Sequence, residues 1–153
     1  MNKNICPICE SGTLSSQVHT GEIQYRNRIV PVSDLEYSRC DSCGADPVLA
    51  KQAKRNQVRY SDAKRATDGL LSSADIRTAR RYLGLTQHAA SSVFGGGLNA
   101  FSKYERGEVI QSEAMDKLIR LTCRYPEAWD YLNSIDDSQT SEALSLKSRG
   151  LAR

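Results

Sequence analysis

Two Cys-x-x-Cys pairs, Cys6-Pro7-Ile8-Cys9 and Cys40-Asp41-Ser42-Cys43, constrain this chain more than any other feature. The sequence opens Met1-Asn2-Lys3-Asn4 and runs into the first pair with no apolar signal core, and no run of about 18 apolar residues follows. We therefore expect a cytoplasmic protein without a membrane anchor, in a compartment that keeps thiols free for metal or redox chemistry. Each pair can wrap one face of a tetrahedral Zn²⁺, with thiolates about 2.3 Å from the metal. Four unrelated free cysteines would not fall into two matched pairs. Thioredoxin-like redox chemistry needs its Cys-x-x-Cys beside a βαβ pattern, and neither pair has one. Four sulfurs fill zinc's coordination and leave no position open for substrate or water, so the expected site is one structural zinc per chain, held by Cys6, Cys9, Cys40 and Cys43. His19 could substitute for a sulfur, but four thiolates suffice. Cys123, beside Leu121 and Thr122, reads as a small buried thiol.

The 30 residues between the pairs exceed the usual spacing of four-cysteine zinc sites, and a β-meander accounts for the length. Residues 22–26 and 29–32 alternate apolar and polar around a polar turn at Asn27-Arg28, and 35–39 reads as a third strand leading to Cys40. From 46 to about 60 the pattern becomes helical, with Val48, Leu49, Ala53 and Val58 apolar. Residues 63–72 read as a linker.

A second pattern begins at Ser72, where Asp75 three residues later gives a capping-box signal. Ile76, Ala79 and Leu83 share one face. Thr86 caps a second short helix carrying Ala90, Val93 and Phe94, which Gly95-Gly96-Gly97 breaks. A third helix, from about Asn99 to Arg106, buries Phe101 and Tyr104. A fourth follows Ser112 with Met115, Leu118, Ile119 and Leu121, and Pro126 opens a fifth with Trp129 and Leu132. Helix, short turn, helix and glycine turn before the third helix is the layout of a helix-turn-helix.

Net charge is only +3, but its distribution is uneven. Residues 1–50 carry four Lys/Arg against six Asp/Glu, 51–73 carry six against two, and 74–107 carry five against two. A basic centre between acidic flanks is the footprint expected of a polyanion-binding protein. On the third helix Asn99, Ser102 and Lys103 lie at i, i+3 and i+4, opposite Phe101 and Tyr104, where they can enter one groove of double-stranded DNA. Asn pairs bidentately with adenine and Lys donates to guanine. The competing reading of Asn99 is a helix cap, and that of Lys103 an ordinary solvated charge. Thr86 and Gln87 at the preceding helix start, the backbone of Gly96 and Gly97, and the side chains of Arg106, Arg59 and Arg65 are the expected phosphate contacts.

The string Phe94-Gly-Gly-Gly-Leu-Asn-Ala-Phe-Ser-Lys-Tyr-Glu-Arg-Gly107, preceded by Leu85-Thr86-Gln87, together with the double Cys-x-x-Cys around a hairpin, resembles the MqsA (YgiT-type) antitoxins over about residues 5–133. The resemblance implies a protein that binds the mRNA-cleaving toxin MqsR through its zinc domain. It also implies dimerisation through the C-terminal domain and repression of the protein's own operon at a palindromic operator. It gives Asn99 the role of base reader and places Lys103 where the family usually has Arg, whose planar fork Lys cannot reproduce. The expected fold is α+β in two domains. Residues 1–62 form a β-rich four-cysteine zinc domain that binds a basic ribonuclease toxin, 73–133 an all-α five-helix helix-turn-helix domain, and 134–153 a disordered tail. A stand-alone zinc-containing repressor without a toxin is the competing function. No Ser/His/Asp set, carboxylate pair or open metal position suggests an enzyme.

Overall fold

The computed structural model describes residues 4–137, as a two-stranded hairpin followed by six helices: β1 (Leu14–Tyr25), β2 (Arg28–Cys40), α1 (Ala50–Asp68), α2 (Ser73–Tyr82), α3 (Gln87–Phe94), α4 (Ala100–Glu105), α5 (Glu113–Arg124) and α6 (Pro126–Asp137). The expected α+β organisation holds: a β hairpin bearing the four cysteines precedes an all-helical bundle. Among the described residues no helix is long and apolar enough to cross a membrane.

The three short strands expected between the cysteine pairs are two long ones. β1 pairs antiparallel with β2 from Leu14 opposite Cys40 to Tyr25 opposite Arg28, so the turn is Arg26-Asn27, one residue earlier than expected. Ser33-Asp34, between the expected second and third strands, reads as a break, but the chain absorbs it as a bulge. His19 faces Leu35 and Gly21 faces Val32, leaving one residue of β1 opposite two of β2, and Asp34 takes a left-handed φ of 58°. Strand pairing thereby continues to the second cysteine pair.

α1 covers the outer edge of β2 with polar groups. Backbone N–H groups of Cys40 and Ser38 donate to the carbonyls of Ala45 and Pro47 at 2.9 Å each, and the Glu36 N–H donates to Asn56 Oδ1 at 2.8 Å. Asn56 Nδ2 returns a bond to the Glu36 carbonyl, so one amide pairs with the strand as a neighbouring strand would. Gln52 exchanges hydrogen bonds with Ser38, and Glu36 takes ion pairs from Arg55 and Arg59. The buried face of α1 is therefore Gln52, Asn56, Ser61 and Arg65, whereas Val48 and Ala53, expected to face inward, are exposed. The same polar face explains why α1 overruns its expected end near residue 60. Residues 61–68 contain no Gly or Pro and continue the helix to a Schellman motif at Gly69, with Leu70 N–H on the Arg65 carbonyl and Gly69 N–H on that of Ala66. Most of the stretch expected as linker is helix.

The helical bundle follows its expected boundaries closely, because caps and apolar periodicity agree. Ser72, Thr86 and Ser112 each accept from the N–H three residues on, and Asp75 completes the capping box at Ser72. Ile76, Ala90, Phe94, Ala100, Phe101, Tyr104 and Ile119 form the core, flanked by Met115, Leu118, Trp129 and Leu132. Phe94 packs on Phe101 and Trp129, with centroids 5.4 and 6.3 Å apart. Helix α6 extends to Asp137, into the stretch expected as a tail from residue 134; the rest of that stretch lies outside the described residues.

Candidate metal centre and nucleic-acid interface

The hairpin closes the first cysteine loop against the second. Leu14 lies opposite Cys40, the Leu14 N–H donates to the Asn4 carbonyl, and Ile5 bridges Thr13, so both loops leave the same end of the sheet. The sulfurs of Cys6, Cys9, Cys40 and Cys43 all lie within 4.8 Å of one another. Cys6 and Cys43 are 3.9 Å apart and Cys9 and Cys40 3.7 Å apart, against about 3.8 Å for the edge of a tetrahedron with metal–sulfur bonds of about 2.3 Å.

Backbone N–H groups converge on the sulfurs, from Ile8 to Cys6, from Gly12 to Cys9, and from Ser42 and Cys43 to Cys40, at 3.3 to 3.5 Å. Such bonds stabilise thiolate over thiol. Cys9 is lowered to about 6, by the Ser11 and Gly12 N–H groups first and the Ser11 hydroxyl next. At Cys43 the Ala45 N–H also lowers, but contact with Cys40, burial, and contact with Cys9 and Cys6 together outweigh it and push the thiol up to about 12. Four sulfurs this close cannot all ionise unless a cation joins them, and the cluster fits a metal ion.

Gly12 belongs to this centre, although nothing singled it out beforehand. A Cβ there would stand 2.4 Å from Cys40 Sγ and 2.6 Å from Ser42 Cβ. The available signal was a glycine three residues after Cys9, inside the turn that must fold back over the second loop.

In the bundle, α4 follows a turn in which Gly96 and Gly97 have φ of 91° and 93°. A shallow concavity runs along Gly96, Gly97, Asn99, Lys103 and Val109. Asn99 occupies the N-cap position of α4, but its side chain makes no cap bond and is exposed, so capping does not engage it. Lys103 is exposed on the same side. Ser102 Oγ accepts from Arg106 Nη1 at 2.5 Å, and Arg106 also pairs with Glu108.

The remaining expected contacts sit elsewhere. Thr86 caps α3 through the Ala89 N–H, and Gln87 Nε2 turns inward to Glu105 at 2.8 Å. Arg59 turns to Glu36 and Asn56 on the hairpin side. Arg65 must be corrected outright as a phosphate contact. Its side chain is 0% exposed and donates to Asp62, Gln111 and the carbonyls of Tyr104 and Val109. A basic stretch reports charge, and only packing decides which cations meet solvent.

Glu105, which sequence reading passed over, anchors α4 from inside. It is 2% exposed and receives Arg77, Arg80 and Gln87. Burial alone would raise its pKa, yet the Arg80 and Gln87 bonds outweigh that and hold the carboxyl below its ordinary value.

The fold and the site define a class: a hairpin whose four thiols are placed to hold a metal ion, joined by a long polar helix to a five-helix bundle of helix-turn-helix layout. The family model described as the antitoxin component of a bacterial toxin-antitoxin system, MqsA, matches residues 4–133. Antitoxin MqsA of Escherichia coli (strain K12) is 31% identical over 124 residues, covering 80% of this chain and 94% of that protein. The chain belongs to the MqsA antitoxin family.

Proposed function

We propose that this protein is the antitoxin of a type II pair, which neutralises an MqsR-like mRNA-cleaving toxin and represses its own operon from the cytoplasm, without being an enzyme. Membership of the antitoxin family over residues 4–133 carries the reading. In this reading Cys6, Cys9, Cys40 and Cys43 hold one Zn²⁺, which fixes both loops to the end of the hairpin. The metal is structural, and the chain's own residues do the binding.

The hairpin module is the toxin-binding part. Its acidic balance, six Asp/Glu against four Lys/Arg in residues 1–50, complements a basic ribonuclease. Beyond the Ile5–Thr13 bridge, β1 has no second partner strand among the described residues and offers an edge for strand pairing.

The bundle is the DNA-reading and dimerising part. Asn99 and Lys103 project from the α4 end of the bundle, Asn99 without a cap bond that would compete with bases, and Gly96 and Gly97 let a phosphate approach the backbone. Leu121 and Tyr125, one turn apart at the end of α5, and Tyr131 on α6 are exposed and supply apolar surface for a second copy. A two-fold dimer then places two α4 helices on a palindrome with half-sites about 34 Å apart or a multiple of it.

The test is co-expression of the full chain with the product of a neighbouring gene for a small basic ribonuclease-like protein. The proposal expects growth to be restored and a complex to be recovered. Failure of both, with operator binding intact, would favour a stand-alone repressor.

A further inference from the structure

Helix α4 ends in a Schellman motif: the Gly107 N–H donates to the Tyr104 carbonyl and the Glu108 N–H to the Lys103 carbonyl at 2.9 Å. The motif turns Glu108 back over the last turn of the helix. There its carboxylate accepts from Arg106 Nε at 2.7 Å and from Arg106 Nη2 at 3.1 Å, while Arg106 Nη1 is held on Ser102. The Arg106 bonds first, and then the charges of Lys103 and of Lys54 on α1, hold the Glu108 carboxyl below its ordinary value. One exposed acid thus stands among three cations drawn from α4 and α1, two of them on the proposed DNA-reading surface.

A phosphate seeks the same partners, because Arg presents the same fork to carboxylate and to phosphate. We propose that Glu108 is an intramolecular competitor of DNA phosphate at Arg106: it occupies the guanidinium and withholds it from the duplex. The inference rests on the DNA-reading proposed above. Glu108 itself touches no base; it sets how strongly the α4 surface binds any duplex by deciding whether Arg106 is available.

The pair is about half exposed, so its strength is modest and the expected effect is a few-fold. Full-length protein carrying Glu108→Gln should bind both its own upstream DNA and a scrambled duplex about threefold more tightly than the parent. The slope of log affinity against log salt should steepen by about 0.9, the value of one additional phosphate contact. Removing any acid adds one positive charge. Glu113→Gln, an exposed acid on α5 paired with Lys117, is therefore the control for charge alone.

Arg106→Ala supplies the decisive background. There, Glu108→Gln should give no more than the gain seen with Glu113→Gln. Equal gains from Glu108→Gln with and without Arg106, or a gain no larger than that of Glu113→Gln in the parent, would overturn the competitor role while leaving DNA reading intact. Absence of salt-dependent binding by the parent protein to either duplex would overturn both.

Discussion

Arg65 on α1 donates from Nε to Gln111 Oε1 at 2.9 Å, and this bond joins the helix that covers the hairpin to the segment between α4 and α5. The same guanidinium reaches the carbonyls of Tyr104 and Val109, while Ser61 and Gln57 donate to the carbonyl of Gly107. Gly107 has a φ of 67° and lies so close beneath α1 that a Cβ would stand 2.7 Å from Val58 Cα. The contact is polar, buried and sterically exact in its demand for glycine.

Arg65→Ala should therefore cost about 3 kcal/mol, since truncation leaves several buried acceptors unpaired. Urea unfolding followed through the fluorescence of Trp129, the single tryptophan, reads this directly. The salt dependence of DNA binding should not change in protein that remains folded, because a side chain with no exposed surface does not reach phosphate. A flattened salt slope with unchanged stability would restore Arg65 to the DNA surface.

At the metal centre, Gly12→Ala should weaken metal retention although no ligand is altered, because the new methyl group would overlap Cys40 Sγ. Metal analysis after extensive dialysis should find about one zinc per chain in the parent and clearly less in the variant. Chelation should unfold the hairpin loops first, with the Trp129 signal of the bundle persisting. Full zinc occupancy in Gly12→Ala would show that the two loops do not pack as described.

Glu105 gives a pH prediction. Its pKa is lowered in the folded protein, so the stability it contributes is fully present above the ordinary Glu value of 4.5 and is lost as pH falls through the depressed folded value. Glu105→Gln should destabilise the bundle by about 3 kcal/mol near neutrality, since it leaves Arg80 without a counter-charge. The gap between parent and variant should narrow steadily below pH 4.5. A gap independent of pH would mean that packing, not charge, carries the effect.

Much of this molecule was legible where local chemistry repeats a simple rule. The paired cysteines announced the metal cluster, and Ser72, Thr86 and Ser112 with the apolar periods of Ile76, Phe94, Phe101 and Ile119 placed the bundle. The misreadings share one cause, polar residues doing structural work. Asn56 and Gln52 pair with a strand edge, Arg65 and Asp62 tie α1 to the bundle, and Glu105 gathers two arginines inside it. An apolar-periodicity argument assigns all of them to solvent, and so it turned α1 the wrong way and ended it early. The Asp34 bulge escaped for a related reason, since a one-residue offset between strands leaves no mark on either strand alone.

DNA reading by α4 is tested most directly by a binding comparison of parent and Asn99→Ala protein on the DNA upstream of its own gene and on a scrambled duplex, at several salt concentrations. Asn99→Ala should lose roughly 1 to 3 kcal/mol on the upstream DNA, hardly change on the scrambled duplex, and melt at the parent temperature, because the Asn99 side chain makes no cap bond. Equal losses on both duplexes with the fold intact, or a parent protein that does not distinguish them, would contradict it.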